Sequence, residues 1–198
     1  MILSSAYLAP LEYYKKMRAD DSVLIEHHEH FLKQTYRSRC EIYSPNGKQT
    51  LSIPLVDRNH RQSMKDVKIS YDYNWQHLHW KSMESAYRRS PFFEFYEDDF
   101  RHYYEERKFE FLLDLNEELQ QLVMSSIKLK KNYTFTTEYK TNYEEIEDCR
   151  NTITPKVQPH DTESIKYTQV FESRHGFIPN LSIVDLLFNQ GPRALDYI

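Results

Sequence analysis

Residues 1–26, MILSSAYLAPLEYYKKMRADDSVLIE, decide the architecture. Ile2 to Ser4 is a short apolar run that suits a strand. Pro10 sits where a helix can begin, and Leu11, Tyr14 and Met17 then recur at helical spacing. The next run, Ser22 to Glu26, is strand-like again. Strand, helix and strand in that order make the unit of a parallel α/β arrangement.

Working outward, SPNGK at 44–48 joins CEIY to TLSIPL through an Asn-Gly pair, which favours a tight hairpin turn. VKIS at 67–70 reads as a further strand, so the sheet is expected to be mixed. Trp75 to Tyr87 carries Leu78, Met83, Ala86 and Tyr87 in a helical stripe that should stop before Pro91. Pro91 then stands at the first helical position of a new segment. A long helix is expected from Glu105 to Leu129, burying Phe109, Leu112, Leu113, Leu119, Leu122, Val123 and Ile127. Residues 137–166 are charged, hold two prolines and few large aliphatics, and read as a polar surface connector. Leu181 to Phe188 closes the chain as an apolar helix. The expectation is one α/β domain over residues 1–198, with a mixed sheet, an N-terminal strand-helix-strand unit and a helical middle.

Composition limits the function. The net charge of −4 argues against a general nucleic-acid binder, which needs a basic face to neutralise phosphates. Sixteen tyrosines and eleven phenylalanines supply apolar area enough for a core, despite 28% charged residues. Two cysteines, Cys40 and Cys149, are too few for a disulfide framework and suit a reduced cytoplasm. The N-terminus lacks the unbroken apolar run of a signal peptide, and no stretch approaches the roughly 20 apolar residues of a membrane span.

Three polar groupings carry candidate chemistry. In EHHEH at 26–30, strand alternation would put His28 and His30 on one face beside Glu26, a weak metal site for want of a third spaced ligand; the alternative is a solvated strand end. Lys33, Arg37 and Arg39 would share a strand face, with Tyr36 opposite, and three cations so placed suit a phosphate, a carboxylate or a sugar diphosphate; the alternative is a surface salt-bridge face. Ser182 and Asp185 have capping-box spacing, and Asn180 could cap the same helix. His79 beside tryptophans is read as a packing residue.

Four stretches also carry a resemblance. The most specific runs from Tyr167 and Gln169 into Phe177, Ile178, Pro179, Asn180, Leu181, Ser182, Ile183, Asp185, Leu187, Phe188, Asn189 and Gly191. A second holds Trp75, Lys81, Glu84, Tyr87, Pro91 and Phe93; a third Lys33, Tyr36 and Arg39; a fourth Tyr7, Pro10 and Tyr13. In these the chain resembles a short form of the WbqC-like family. The resemblance implies a bacterial protein of O-antigen and capsular polysaccharide biosynthesis, with transfer of a small acyl or aminoacyl group to an amino sugar as the reaction. The family's N-terminal loop is similar to loops that cradle phosphates at a helix N-terminus, but Glu12 stands here where the family has Gly, and a carboxylate opposes phosphate there. The longer relatives' extra segment ahead of the C-terminal motif has no counterpart in 137–166. The site expected on these grounds binds a small anionic or sugar ligand through Lys33, Arg37 and Arg39, with Tyr13, Tyr36, Trp75 and Asp185 lining the pocket. No cofactor follows from any of these residues. The rival expectation is a noncatalytic binding or scaffold module that keeps the family core.

Overall fold

The computed structural model describes residues 1–56, 62–157 and 165–198. The N-terminal unit forms as its apolar spacing predicts: β1 (Ile2–Ser4), α1 (Leu11–Ala19) and β2 (Val23–Glu26), with β1 and β2 parallel. α1 turns Leu11, Tyr13, Tyr14 and Met17 into the core. β3 (Arg39–Ser44) and β4 (Gly47–Ser52) make the expected hairpin, closed by Pro45 and Asn46, and Gly47 takes the positive φ of +96° that follows the turn. β5 (Tyr133–Phe135) adds to β2, also in parallel.

Parallel and antiparallel pairing thus both occur, divided between two sheets: a three-stranded parallel sheet, β1-β2-β5, and the two-stranded hairpin. VKIS reaches only isolated bridges, Ile69 with Leu55 and Lys68 with Phe111, because Val67 is still ending a 3-10 turn over Met64–Asp66.

α2 spans Trp75–Tyr87, with Asn74 accepting from the His77 amide at its start. Its buried face runs through Trp75, His79, Trp80, Met83, Ala86 and Tyr87, while Leu78 points to solvent. At 100° per residue Leu78 lies roughly 130° from the centre of that face, so the two tryptophans orient the helix and the leucine does not. α3 runs over Phe93–Glu105 with Phe92 as its N-cap, which leaves Pro91 just outside the helix.

The long helix expected from Glu105 is instead two. α3 ends at Glu105 and α4 occupies Leu112–Ser126. Between them the backbone is drawn into cross-chain bonds: the Tyr71 hydroxyl accepts from the Phe109 amide, Glu110 O accepts from Ile69, and Leu112 donates to Val67 O. Tertiary partners outcompete the helix there, although Phe109 is buried as its periodicity implies.

The 137–166 segment is more than a surface connector, apart from residues 158–164, which lie outside the described residues. Ile2 donates to Glu147 O and Cys149 to Ile2 O, so residues 147–149 run parallel to the free edge of β1. α5 (Glu172–His175) and α6 (Ile183–Gln190) follow, and a 3-10 helix over Gly191–Tyr197 comes after them.

Candidate functional site

α6 lies at the centre of the molecule, against α1, α3, α4 and β3. Ser182 caps it weakly, accepting from Val184 at 3.5 Å, while its hydroxyl donates to Leu8 O at 2.7 Å. Asp185 does not reach back as a capping box would. Its fully buried carboxylate accepts from the Tyr87 hydroxyl at 2.9 Å on one oxygen, and on the other from the Tyr167 hydroxyl at 2.6 Å and Gln169 Nε2 at 3.0 Å. Burial pushes its pKa up to about 6 against the three hydrogen bonds that favour the anion. Gln169 in turn clamps Ile178 through both amide atoms, and Asn189 Nδ2 donates to Asp185 O.

This network forms one wall of a cleft of about 1040 Å³. Gln169 and Asn189 line it, facing Lys81, Glu84, Ser85, Arg88 and Arg89 from the C-terminal half of α2 and its end; Pro45, Pro91, Val170 and Phe171 supply apolar walls. The hairpin turn is held in place there by Arg174 and His175, both bonded to Pro45 O, and by the Tyr43 hydroxyl, which donates toward Phe171 O and Gly176 O. Among the described lining residues three cations face one carboxylate, Glu84, which makes the lining positive. Lys81 and Arg88 both bind Glu84, at 2.6 and 2.8 Å, and Arg88 also pairs with Glu97. Burial works against the ionisation of Glu84, but its two cations outweigh burial and hold its pKa below the usual carboxylate value. Arg89 has no ion-pair partner among the described residues. None of the lining residues belongs to the parallel sheet, so the cleft sits beside the hairpin turn and not at the carboxyl ends of parallel strands.

A family model described as the WbqC-like protein family matches residues 5–158 and 149–197. The chain belongs to the WbqC-like family. A relative, the uncharacterized protein Rv1507c of Mycobacterium tuberculosis, is 24% identical over 224 aligned residues, covering all of this chain and 96% of that protein. No solved structure matches. The WbqC-like motif residues are scattered along the sequence, and many converge here: Lys81, Glu84, Pro91, Gln169 and Asn189 line the cleft, with Tyr87, Tyr167 and Asp185 directly behind its wall.

The constellation expected from sequence is not assembled. Tyr13 is a core residue donating to Gln120, and Trp75 is buried against His79 and Tyr104. Asp185 stands behind the large cleft. Tyr36 borders a hollow of about 210 Å³ near Pro179 and Asn180. Arg37 does not share a face with Lys33 and Arg39, because residues 33–38 turn instead of extending as a strand. Arg37 is buried in a bidentate pair with Glu29, at 2.6 and 2.7 Å. Lys33 and Arg39 do meet, in a pocket of about 320 Å³.

The EHHEH cluster divides similarly. Glu26 turns fully inward to Thr136 and Arg150, Glu29 goes to Arg37, and the exposed His30 is left outside both pairs. His28 is half-buried, its amide donating to Glu26. Among the described residues no three His, Cys, Asp or Glu side chains are placed to hold a metal. His79 packs as expected, its Nδ1 bonded to Tyr7 and its pKa lowered by burial to about 4.

The α1 N-terminus is closed. Leu11 donates to Leu181 O and Glu12 donates to Asn180 Oδ1, while Asn180 Nδ2 returns a bond to the Glu12 carboxylate. Asn180 therefore caps α1, not α6, and the amides that would cradle a phosphate are occupied by the chain's own C-terminal motif.

Proposed function

We propose that the protein binds an activated, anionic sugar in the cleft between α2 and residues 168–171, in bacterial surface-polysaccharide biosynthesis. The observation that carries this reading is the convergence of Lys81, Glu84, Gln169 and Asn189, residues of two separate family-like stretches, on one positive cleft with apolar walls. Arg89 offers a planar, unpaired donor set suited to a diphosphate, and the apolar walls suit a sugar face. The reaction in this reading is the one the family resemblance implies. The amino group of the sugar attacks the carbonyl of an activated small acyl or aminoacyl donor; a C–N bond forms, the donor's leaving group departs with its bonding electron pair, and the proton lost by the amine goes to that departing group. Activated sugars of this kind place the protein in the cytoplasm, in keeping with its two free cysteines. No helix among the described residues is long and apolar enough to cross a membrane.

A noncatalytic binding module is the second reading, favoured by a specific observation. Asp185 is fully buried, Glu84 is held by two cations, and His79 is enclosed by Tyr7, so none of these groups is free to take the amine proton.

Thermal denaturation with a panel of uridine and thymidine diphosphate sugars tests the binding common to both. A bound sugar at a hundredfold excess over its Kd adds about 2.7 kcal/mol of stability. Arg89→Ala should weaken that binding by about 1.5–3 kcal/mol, the usual worth of a charged hydrogen bond. Absence of a shift with every sugar, or a shift indifferent to Arg89→Ala and Lys81→Ala, removes the cleft as the site. Mass spectrometry of the amino sugar after incubation with acyl thioesters then separates transfer, seen as a gain of the acyl mass, from binding alone.

A further inference from the structure

The pocket shared by Lys33 and Arg39 differs in kind from the large cleft. In the cleft, Lys81 and Arg88 are matched by Glu84 and Glu97. In the smaller pocket, of about 320 Å³, no lining residue among those described is a carboxylate. Neither Lys33 nor the Arg39 side chain has an ion-pair or hydrogen-bond partner among the described residues, and the Arg39 Nε is a buried, unsatisfied donor. The guanidinium is half-buried at the start of β3. Removing such a charge from water without a counter-charge is costly, and among the described residues no carboxylate pairs with it. The contrast with Arg37, two residues earlier and fully paired with Glu29, shows that the fold does neutralise its internal arginines elsewhere.

Two further features belong to the same pocket. Gln34 lines it and holds a left-handed backbone, φ +60°, which a glutamine adopts only at a cost and which places it at the pocket wall. Ser38 adds a largely buried hydroxyl. A guanidinium, an ammonium, an amide and a hydroxyl therefore surround a space that no carboxylate of the described residues faces, over an apolar base of Phe31 and Leu55.

We propose that this pocket is a second binding site, for a small oxyanion of the phosphate class. Arg39 makes the paired contact, Lys33 adds the second positive charge from the rim, and Gln34 and Ser38 orient the remaining oxygens. The site is independent of the sugar cleft, sharing no lining residue with it.

Titration calorimetry of the whole protein with inorganic phosphate, and with acetate as the carboxylate control, tests the assignment. Phosphate should bind more tightly than acetate, and Arg39→Ala should weaken phosphate binding about tenfold or more. Lys33 is exposed, so Lys33→Ala leaves the fold intact and should weaken phosphate several-fold even if Arg39→Ala proves unstable. Arg89→Ala, in the cleft, should leave the Lys33-dependent part of phosphate binding unchanged. Absence of phosphate binding by the native protein, binding unaffected by Lys33→Ala, or acetate binding as tight as phosphate would each overturn the proposal. A phosphate affinity lost with Arg89→Ala and kept with Lys33→Ala would assign the anion to the sugar cleft instead.

Discussion

Asp185 shows most clearly how one residue's role departs from its local pattern. Its spacing from Ser182 is that of a cap, yet its side chain joins α2, α6 and residues 167–169 through Tyr87, Tyr167 and Gln169. With a folded pKa of about 6 against 3.8 ordinarily, the native state holds a proton that the unfolded chain has released between those two values. Stability from this group is therefore complete below pH 4 and falls as pH rises to 6, by roughly 3 kcal/mol at about 1.4 kcal/mol per pH unit. Urea titrations of wild type and Asp185→Asn across pH 4–7 check this. Their stability difference should shift against the wild type through that window, and a difference flat with pH would refute the role. The paired character of Arg37 and the inward turn of Glu26 are of the same kind. Sequence alternation assigned them a face, but an arginine and a glutamate go where a partner lies, and those partners are far along the chain in the case of Arg150.

At the level of elements, the C-terminal motif acts as a clip. Asn180 caps α1, Ser182 binds Leu8, and Ile183 donates to Ala9 O, so FIPNLSI holds the N-terminal loop shut. Asn180→Ala should cost about 1 kcal/mol, the common worth of a lost cap, read as a lowered midpoint in chemical denaturation. Asn180 also has φ +54°, so Asn180→Gly should recover part of that loss. Gly191 ends α6 at φ +54°, and a Cβ there would lie 2.4–2.8 Å from the ring of Phe92. Gly191→Ala should destabilise by about 2 kcal/mol or more through that overlap and the left-handed backbone. A midpoint unchanged in Gly191→Ala would show that Phe92 yields freely. The break between α3 and α4 belongs here as well: helical periodicity runs on through residues 106–111, and the bonds of Phe109, Glu110 and Leu112 to residues 67–71, with Gln76 donating to Tyr103 O and Arg107 O, interrupt it.

Over the whole molecule, Arg150 fastens the 137–157 stretch to the parallel sheet. It bonds Glu26, Asp148, Lys140 O and Thr141 O, and its neighbour Cys149 pairs with β1. Arg150→Met leaves Glu26 buried without its counter-charge, a change that typically costs about 3–5 kcal/mol. The expected readout is a lower denaturation midpoint together with faster proteolytic cutting between residues 137 and 157. Cutting at the native rate would show that the segment is anchored by other contacts. The α/β class, the β1-α1-β2 unit, the hairpin, α2 and α6 are legible in the chain's local pattern, because each rests on periodicity and turn chemistry contained within a few residues. The family is legible there too, through motif residues in fixed order. Folding alone settles that Lys81, Glu84, Gln169 and Asn189 share a cleft, that among the described residues Lys33 and Arg39 have no counter-charge while Arg37 is paired, and that the α1 N-terminus is already occupied. Those outcomes depend on which charges and hydrogen-bonding groups meet across long sequence separations, and local pattern carries no information about such meetings.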